Sequence, residues 1–278
     1  MALNLEAIGK ECEPTSFEYD QDRVILYALG IGAGVDELDF VYEKALKVFP
    51  TFAVIPVIPS MIHAILNTNI NIAALLHGEQ KITLHQPIPP KGIIKTTGGP
   101  MSAYDKGDKG AIVNCEFKSF DEAGHPLFDN KIVLIDRSAG NFNGDRGPAP
   151  EKFDPPEGRQ PDFRVEETTS PDQAALYRLS GDKNPLHIDP EFAQMAGLAK
   201  PILHGLCTYG FAGRAILHSV CGGDPARFKS FATRFTGMVM PGDTLITEGW
   251  QVEPGRYVVR TTTGDGRVVL GNAWAETA

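Results

Sequence analysis

The sequence is poor in cysteine, in basic residues and in long apolar runs. Its four cysteines contain no C-x-x-C pair, which predicts reduced thiols rather than a disulfide framework. No apolar stretch of about 18 residues stands out, so we expect no membrane span. The 26 Lys and Arg against 35 Asp and Glu give a net charge of −9, which argues against nucleic acid as a partner. No basic segment followed by an apolar run opens the chain, which favours a cytoplasmic location.

The remaining composition is that of an ordinary globular protein. Hydrophobic residues make up 42% and charged residues 22% of the 278 residues. This length suffices for one large domain or two smaller ones. A small phosphorylated ligand stays compatible with the acidic balance, because a few local lysines or arginines can hold it.

An internal repeat divides the chain. The letters Leu-Tyr-x-Leu around Tyr27 recur around Tyr177, 150 residues later, and Pro90 recurs as Pro241 after 151 residues. Each half also runs from a helix into a series of alternating strands, which supports a duplicated unit. The segment between the halves is rich in Gly, Pro, Asn and Asp, as linkers are. We therefore predict a first repeat at 1–137, a linker at 138–168 and a second repeat at 169–278.

The patterning also predicts individual helices and strands. A helix at 20–29 ends in Gly30–Gly34, and this glycine run does not cradle a dinucleotide because it follows a helix rather than a strand. Ser170, Pro171 and Gln173 form a capping box, and Asp189-Pro190 opens another helix. Further predictions are a strand at 38–43, buried helices at 61–66, 70–76 and 206–220, and strands at 16–19, 80–85, 92–98, 110–120, 126–135, 227–235, 244–252, 257–263 and 268–275.

The polar turn after Tyr177 carries the chemistry. Asp182, Asn184 and His187 place a carboxylate, an amide and an imidazole within six residues, between two predicted helices. A rigid turn of this kind can hold an acid and a base at a fixed distance. The alternative is a plain turn, since Asp and Asn favour turns before proline. His204 and His218 do not add metal-ligand spacing, so we expect no metal site. The first repeat has glycine and isoleucine at the same turn.

Four segments resemble a known family. Residues 177–187, with Ala193 six positions further on, are similar to the hydratase 2 motif of MaoC-like enzymes, and the similarity continues through 200–210. The first half is similar at 27–30 and 76–80. The chain resembles in particular the (3R)-specific 2-enoyl-CoA hydratase unit of peroxisomal multifunctional enzymes.

The resemblance implies an α+β fold of double hot-dog type, in which each repeat wraps an antiparallel sheet around a long helix. It implies reversible addition of water to a trans-2-enoyl-CoA, giving a (3R)-hydroxyacyl-CoA, in fatty-acid or sterol side-chain β-oxidation. Asp182 and His187 would be the acid–base pair, Asn184 would orient them, and the Gly205 N–H would stabilise the thioester oxyanion. No organic cofactor or metal is implied. The resemblance also implies a homodimer, and it leaves a peroxisomal location open.

Four further residues fall where the family contacts acyl-CoA, namely His77, Gly78, Lys106 and Phe235. On the residues alone, His77 can equally bound a helix and Lys106 can be an exposed turn lysine. Two other functions stay open, a hot-dog thioesterase and a non-catalytic acyl-CoA binding subunit. The lost polar turn and the prolines of the first repeat suggest that this repeat accommodates the acyl chain, so that each chain has one active site.

Overall fold

Ten antiparallel strands form one continuous sheet in the computed structural model, which describes residues 2–149 and 151–278. The strands are β1 Thr15–Tyr19, β2 Leu75–Leu84, β3 Gly92–Asp105, β4 Ala111–Phe120, β5 Pro126–Asp136, β6 Phe163–Thr168, β7 Phe228–Phe235, β8 Thr244–Glu253, β9 Arg256–Thr263 and β10 Val268–Thr277. The α-helices are α1 Gln21–Gly30, α2 Leu38–Val41, α3 Ile58–Asn67, α4 Gln173–Tyr177, α5 Pro190–Met195 and α6 Gly205–Cys221.

The strand order shows the duplication directly. It runs β1-β3-β4-β5-β2-β7-β10-β9-β8-β6, so each half contributes five strands in mirrored order. The halves meet where β2 pairs antiparallel with β7, with Glu79 opposite Arg234. The side chains of these two residues form an ion pair across the seam at 2.6 Å. The predicted repeat is thus one sheet of two equivalent halves, and the predicted double hot-dog fold is confirmed.

Helix α6 is the central helix of the second repeat and is buried on almost every side. Two glycines allow this close packing. A Cβ on Gly210 would lie 2.3 Å from Ile31 Cγ2, and a Cβ on Gly213 would lie 2.3 Å from Thr51 Cγ2. Both neighbours belong to the first repeat, so α6 packs between the repeats as well as against its own strands. The prediction of a buried helix at 206–220 is confirmed.

The central helix of the first repeat is broken. Pro50–Val54 is a 3-10 turn, and α3 begins only at Ile58, because prolines at 56 and 59 prevent a continuous helix. The segment Pro50–Asn67 has the length and apolar composition of a membrane span, contrary to our expectation that no segment would. Most of it is buried within the protein, and a buried core helix meets the same criteria.

The predicted bonds of the capping box form, but the helix begins later than predicted. The Ser170 N–H donates to Gln173 Oε1 at 3.0 Å, and Ser170 Oγ accepts from the Asp172 N–H at 3.1 Å, while α4 begins at Gln173 with Asp172 as its N-cap. Asp189 Oδ1 accepts two backbone N–H groups at the start of α5. These local bonds fix both ends of the turn that holds Asp182 and His187.

Three sequence predictions are wrong. Residues 38–43 contain the short helix α2 instead of a strand, because Phe40 turns inward and stacks on Phe49 at 4.0 Å. Residues 70–76 form a 3-10 turn and the start of β2 instead of a helix, since Leu75 and Leu76 pair with β5. The last six residues of the predicted linker, 163–168, form β6 on the edge of the sheet. The prediction of four reduced cysteines is confirmed, as all four are free and buried.

The turn of the first repeat is held by charges. Arg214 on α6 donates to Glu37 Oε1 and Oε2 at 3.0 and 2.8 Å and also pairs with Glu167 on β6. His218, one turn further along α6, contacts Glu37 as well. Burial opposes ionisation of Glu37, but hydrogen bonds from His218 and Arg214 outweigh it and lower the pKa of Glu37 to about 2. These ion pairs fasten the turn to the central helix of the other repeat.

Candidate active site

The turn between α4 and α5 folds through its own side chains. The Asn184 N–H donates to Asp182 Oδ1 at 3.1 Å, and the Leu186 N–H donates to Asn184 Oδ1 at 3.0 Å. Such Asx turns are what the residue types favour. The Asn184 oxygen therefore takes part in the turn itself, through one of its two lone pairs. The second oxygen of the Asp182 carboxylate takes no part in these bonds.

His187 is held as a neutral base. Its Nδ1 lies 2.9 Å from the Ile202 carbonyl oxygen, and because a carbonyl only accepts, Nδ1 carries the proton. The Nε2 lone pair is then free to accept a proton. Burial lowers the pKa of His187, and the Asp182 carboxylate opposes this shift. The ring is 8% exposed, so it is dry on most sides and still reachable.

A second histidine lies against the first. His204 is fully buried, and its ring stacks on that of His187 with centroids 3.8 Å apart and planes inclined by 29°. Its Nε2–H donates to the Asp182 carbonyl oxygen at 3.2 Å. Burial and then the neighbouring His187 lower the pKa of His204 to about 3. One ligating atom from each of Asp182, His187 and His204 lies within 4.8 Å of the others.

This trio is poorly arranged for a metal ion. Imidazole binds metals through a lone pair in the ring plane, and two nearly parallel stacked rings cannot aim such lone pairs at one point. One nitrogen of each ring is also bonded to a backbone carbonyl. The trio is the only potential metal cluster within 2–149 and 151–278. The prediction that the protein uses no metal therefore stays in place as a prediction.

Gly205 lies at the first position of α6, directly after His204. The first N–H groups of a helix have no acceptor within the helix, and the helix dipole makes them favourable partners for negative charge. Gly205 is exposed, while a Cβ there would lie 3.2 Å from the ring of Phe235. The glycine thus keeps its backbone accessible beside the two histidines.

The first repeat contributes the opposite wall. His77 on β2 meets the ring of Phe235 edge-on at 5.0 Å, and its Nε2 is buried without a partner among the described residues. Burial lowers the pKa of His77 to about 4, with the nearby Asp182 carboxylate opposing the shift. Gly78 follows at a bulge in β2, where a Cβ would lie 2.8 Å from Ile135 Cδ1. Residues from both repeats therefore meet around Asp182.

Lys106 lies further out on the same repeat. Its ammonium group contacts the Arg146 carbonyl oxygen and lies 5.6 Å from the centre of the Tyr104 ring. A surface concavity of ≈ 440 Å³ opens here. It is lined by Lys106, Lys109, Ile112, Ile135 and Arg146. Ile135 is the neighbour of Gly78, so the concavity adjoins the wall formed by the first repeat.

From the sequence, His204 stands out only as a potential metal ligand, and its contacts with Asp182 and His187 were not predicted. Its position in the sequence could have indicated these contacts, because His204 is the N-cap of α6, immediately before Gly205. The carbonyl of Ile202, which fixes the His187 tautomer, has no side-chain signal at all.

The ten-stranded sheet with its two central helices defines a double hot-dog protein, and the cluster of Asp182, His187 and His204 lies in its second repeat. Residues 17–138 match the MFE-2 hydratase 2 N-terminal domain, and residues 152–271 match the MaoC like domain. The chain belongs to the MaoC-like family, with the hydratase 2 type of N-terminal domain.

Full-length relatives agree with this assignment. The 3-hydroxyacyl-thioester dehydratase Y of Mycobacterium tuberculosis is 44% identical, over 99% of each chain. The probable enoyl-CoA hydratase 2 of Dictyostelium discoideum is 39% identical, over 97% of this chain and 95% of the relative. The crystal structure of a MaoC-like dehydratase from Phytophthora capsici superposes with a TM-score of 0.89 at 34% identity, over 99% of each chain.

Proposed function

We propose that the protein is a (3R)-specific 2-enoyl-CoA hydratase, which adds water to trans-2-enoyl-CoA and catalyses the reverse dehydration in fatty-acid or sterol side-chain β-oxidation. One observation carries the proposal: a carboxylate and a neutral imidazole lie within 4.8 Å of His204, whose backbone leads directly into the first residue of a buried helix. The named activities of the full-length relatives support it.

Asp182 and His187 form the water side of the site. A water molecule that donates both hydrogens to two acceptors at about 2.8 Å spans about 4.5 Å between them. The Asp182 carboxylate and the His187 ring lie within 4.8 Å, so one water fits both. Its oxygen bonds to C3 of the enoyl group while the pair takes one proton. The same pair returns a proton to C2, so the product gains one hydroxyl and one hydrogen.

Gly205 forms the oxyanion side. As the C2=C3 electrons move toward the thioester, its oxygen gains negative charge. The Gly205 N–H, at the positive end of α6, donates to that oxygen. An N–H fixed by a helix needs no reorganisation during the reaction, which is why such donors are effective.

The contacts outside the turn suggest how the substrate lies. Phe235, His77 and Gly78 line the way from Gly205 toward the concavity, where Lys106, Lys109 and Arg146 would bind the CoA phosphates. In the other direction, a Cβ on Gly181 would lie 3.3 Å from Ile58 Cδ1 and 3.7 Å from Ile55 Cγ2. The acyl chain would therefore leave the catalytic turn along the broken helix of the first repeat.

A chain-length series tests this second direction. We expect kcat/KM to rise from four-carbon to long or steroidal enoyl-CoA substrates in the wild-type enzyme. In Ile58→Trp the long substrates lose activity, while crotonyl-CoA retains its wild-type kcat/KM. A wild-type preference for four-carbon substrates would exclude the proposed acyl path.

We further propose that the enzyme needs no cofactor and forms a homodimer. We also propose a cytoplasmic location, although some relatives are named as peroxisomal. Activity retained after exhaustive chelation tests the metal-free chemistry. Light scattering coupled to gel filtration tests the dimer, and a monomer by this measure would refute it.

The decisive experiment incubates the protein with crotonyl-CoA or a longer enoyl-CoA. Hydration removes the enone absorbance without releasing free thiol, and only a (3R)-hydroxyacyl-CoA dehydrogenase oxidises the product. Thiol release would instead indicate a thioesterase. A stable complex with no change in absorbance would indicate a binding subunit.

A further inference from the structure

We propose that His204 is a positioning residue for hydration, which holds Asp182 and His187 in register with the Gly205 N–H. The inference rests on the proposed function, since it gives His204 a role in that same site. His204 is separated from Asp182 by 22 residues in sequence and yet contacts both proposed catalytic side chains or their backbone.

Three contacts converge on this one ring. Its Nε2–H donates to the Asp182 carbonyl at 3.2 Å, which fixes the turn that carries the carboxylate. Its face lies 3.8 Å from the His187 ring, which fixes the plane in which the His187 Nε2 lone pair points. Its backbone continues directly into Gly205, the first residue of α6. The water side and the oxyanion side are thus joined through a single residue.

The neutral state of His204 is what these contacts require. A stacked imidazolium would repel a protonated His187, and the pKa of about 3 keeps the ring uncharged through the pH range of catalysis. The titratable groups around it are His187, Asp182, Arg178 and Tyr177. Burial, His187 and Arg178 disfavour the protonated ring, and its bond to the Asp182 carbonyl favours it without prevailing.

Packing alone does not explain a histidine here. The ring is 0% exposed, and its Nδ1 is buried without a hydrogen-bond partner among the described residues. An unpaired buried acceptor costs stability, and an apolar ring of similar size would avoid that cost. We therefore attribute the histidine at this position to its contacts within the site rather than to packing.

Two substitutions separate the two contacts. His204→Phe keeps a flat ring against His187 and removes the donor to the Asp182 carbonyl. His204→Gln keeps an N–H near the Nε2 position and removes the stacked ring. Because a displacement of about 1 Å in an active site can cost on the order of 100-fold, we expect kcat to fall about 10- to 100-fold in each. KM should change by less than about 3-fold, since His204 does not touch the substrate. His125→Ala, at an exposed histidine, is the control.

A double-variant cycle distinguishes positioning from a general loss of structure. If His204 acts through Asp182, then His204→Phe costs less than about 3-fold in the Asp182→Ala background. A full-size loss in that background, or wild-type kcat in both single variants, would overturn the proposal.

Histidine side-chain NMR tests the same contacts without activity. In the wild type we expect His187 as the Nδ1–H tautomer and His204 as the Nε2–H tautomer. In His204→Gln the pKa of His187 moves toward 6.5, because water replaces the stacked ring, and in His204→Phe it stays low. Unchanged His187 titration in His204→Gln would contradict the proposal. A wild-type protein that shows these tautomers and does not hydrate enoyl-CoA would refute only the proposed function.

Discussion

Asp182 and His187 come within 4.8 Å of each other on one short turn, and each depends on a different kind of support. Asp182 is oriented by a backbone N–H two residues away, and His187 by a backbone carbonyl 15 residues away. The first support is local and follows from the residue types. The second depends on the return of the chain before α6, so it exists only in the folded protein.

Removing either group should abolish most turnover while leaving the fold intact. Positioned acid–base groups contribute roughly 10²- to 10⁴-fold, so we expect losses of that size in Asp182→Ala and His187→Ala. Steady-state kinetics with crotonyl-CoA measures the loss, and circular dichroism measures folding. Lys183→Ala is the matched control, because Lys183 lies exposed between the two on the same turn. Near-wild-type turnover in either alanine variant would remove the mechanism.

The sequence predicted the side chains of the site but not the backbone groups that hold them. Asp182, Asn184 and His187 stand out as residue types at a spacing. Asn184 Oδ1 accepts a hydrogen bond from the Leu186 N–H. A contact between the Asn184 side chain and the reacting water remains a prediction. The stack of His204 on His187 could not be predicted, because it depends on how the 16 residues between them fold back.

The start of α6 is the element on which the oxyanion proposal depends. Gly205→Pro removes the N–H at a helix position that favours proline, and His204 already has the extended backbone that precedes proline (φ −59°, ψ 133°). We expect kcat to fall about 10²- to 10³-fold, as for the loss of one oxyanion donor.

Gly205→Ala controls for this change, since it retains the N–H but adds a Cβ 3.2 Å from the Phe235 ring. A smaller loss in the alanine variant than in the proline variant supports the N–H as the donor. Equal losses would assign the effect to crowding against Phe235 instead.

The middle of α6 depends on a missing methyl group. Gly213→Ala would improve helix propensity by about 1 kcal/mol, but its Cβ would lie 2.3 Å from Thr51 Cγ2. Thr51 is β-branched and stiff, so overpacking prevails and we expect a net loss of about 1–3 kcal/mol in unfolding free energy.

Urea unfolding measures this loss, and Thr51→Ser provides the rescue because it removes the clashing methyl and keeps the hydroxyl. The double variant should recover most of the stability lost by Gly213→Ala. No recovery would show that the contact between α6 and the first repeat does not limit the size of residue 213.

Most helices and strands were predictable, and two of the three failures share a cause. Residues 38–43 and 70–76 are short apolar runs whose period fits more than one structure, and tertiary contacts of Phe40 and Leu75 decided the outcome. Strand β6 was missed because its flanking linker dominates the composition. β6 is the edge strand, and its partner β8 lies about 80 residues away in the sequence.

For the whole molecule, buried neutral histidines predict sensitivity to acid. The pKa of His77 is about 4 and that of His204 about 3 in the folded protein, against 6.5 for an unperturbed histidine. Between pH 6.5 and about 4 the unfolded chain therefore binds protons that the folded chain does not, and the unfolding free energy falls as the pH falls. Below pH 4.5, Glu37 adds to this loss, since its folded pKa of about 2 makes its contribution vanish as it protonates.

Urea midpoints measured from about pH 7.5 down to about pH 4.5 test this dependence. His204→Phe removes one of the titrating groups, so its midpoints should decline less steeply with acid than those of the wild type. Midpoints that stay constant over this range would contradict the burial of neutral histidines.

The two halves of the sheet are equivalent, but their two equivalent turns carry different residues. Counting 150 residues back from Asp182, Asn184 and His187 leads to Gly32, Gly34 and Glu37. In an assembly of two identical subunits both turns would carry the same residues, and any change that strengthened one would alter the other. Within a single chain the second turn keeps the polar groups proposed for turnover, Asp182, Asn184 and His187. In the first turn the position equivalent to His187 is Glu37, which pairs with Arg214 instead. Mutations in the first turn can therefore stabilise the protein without altering the residues proposed for catalysis.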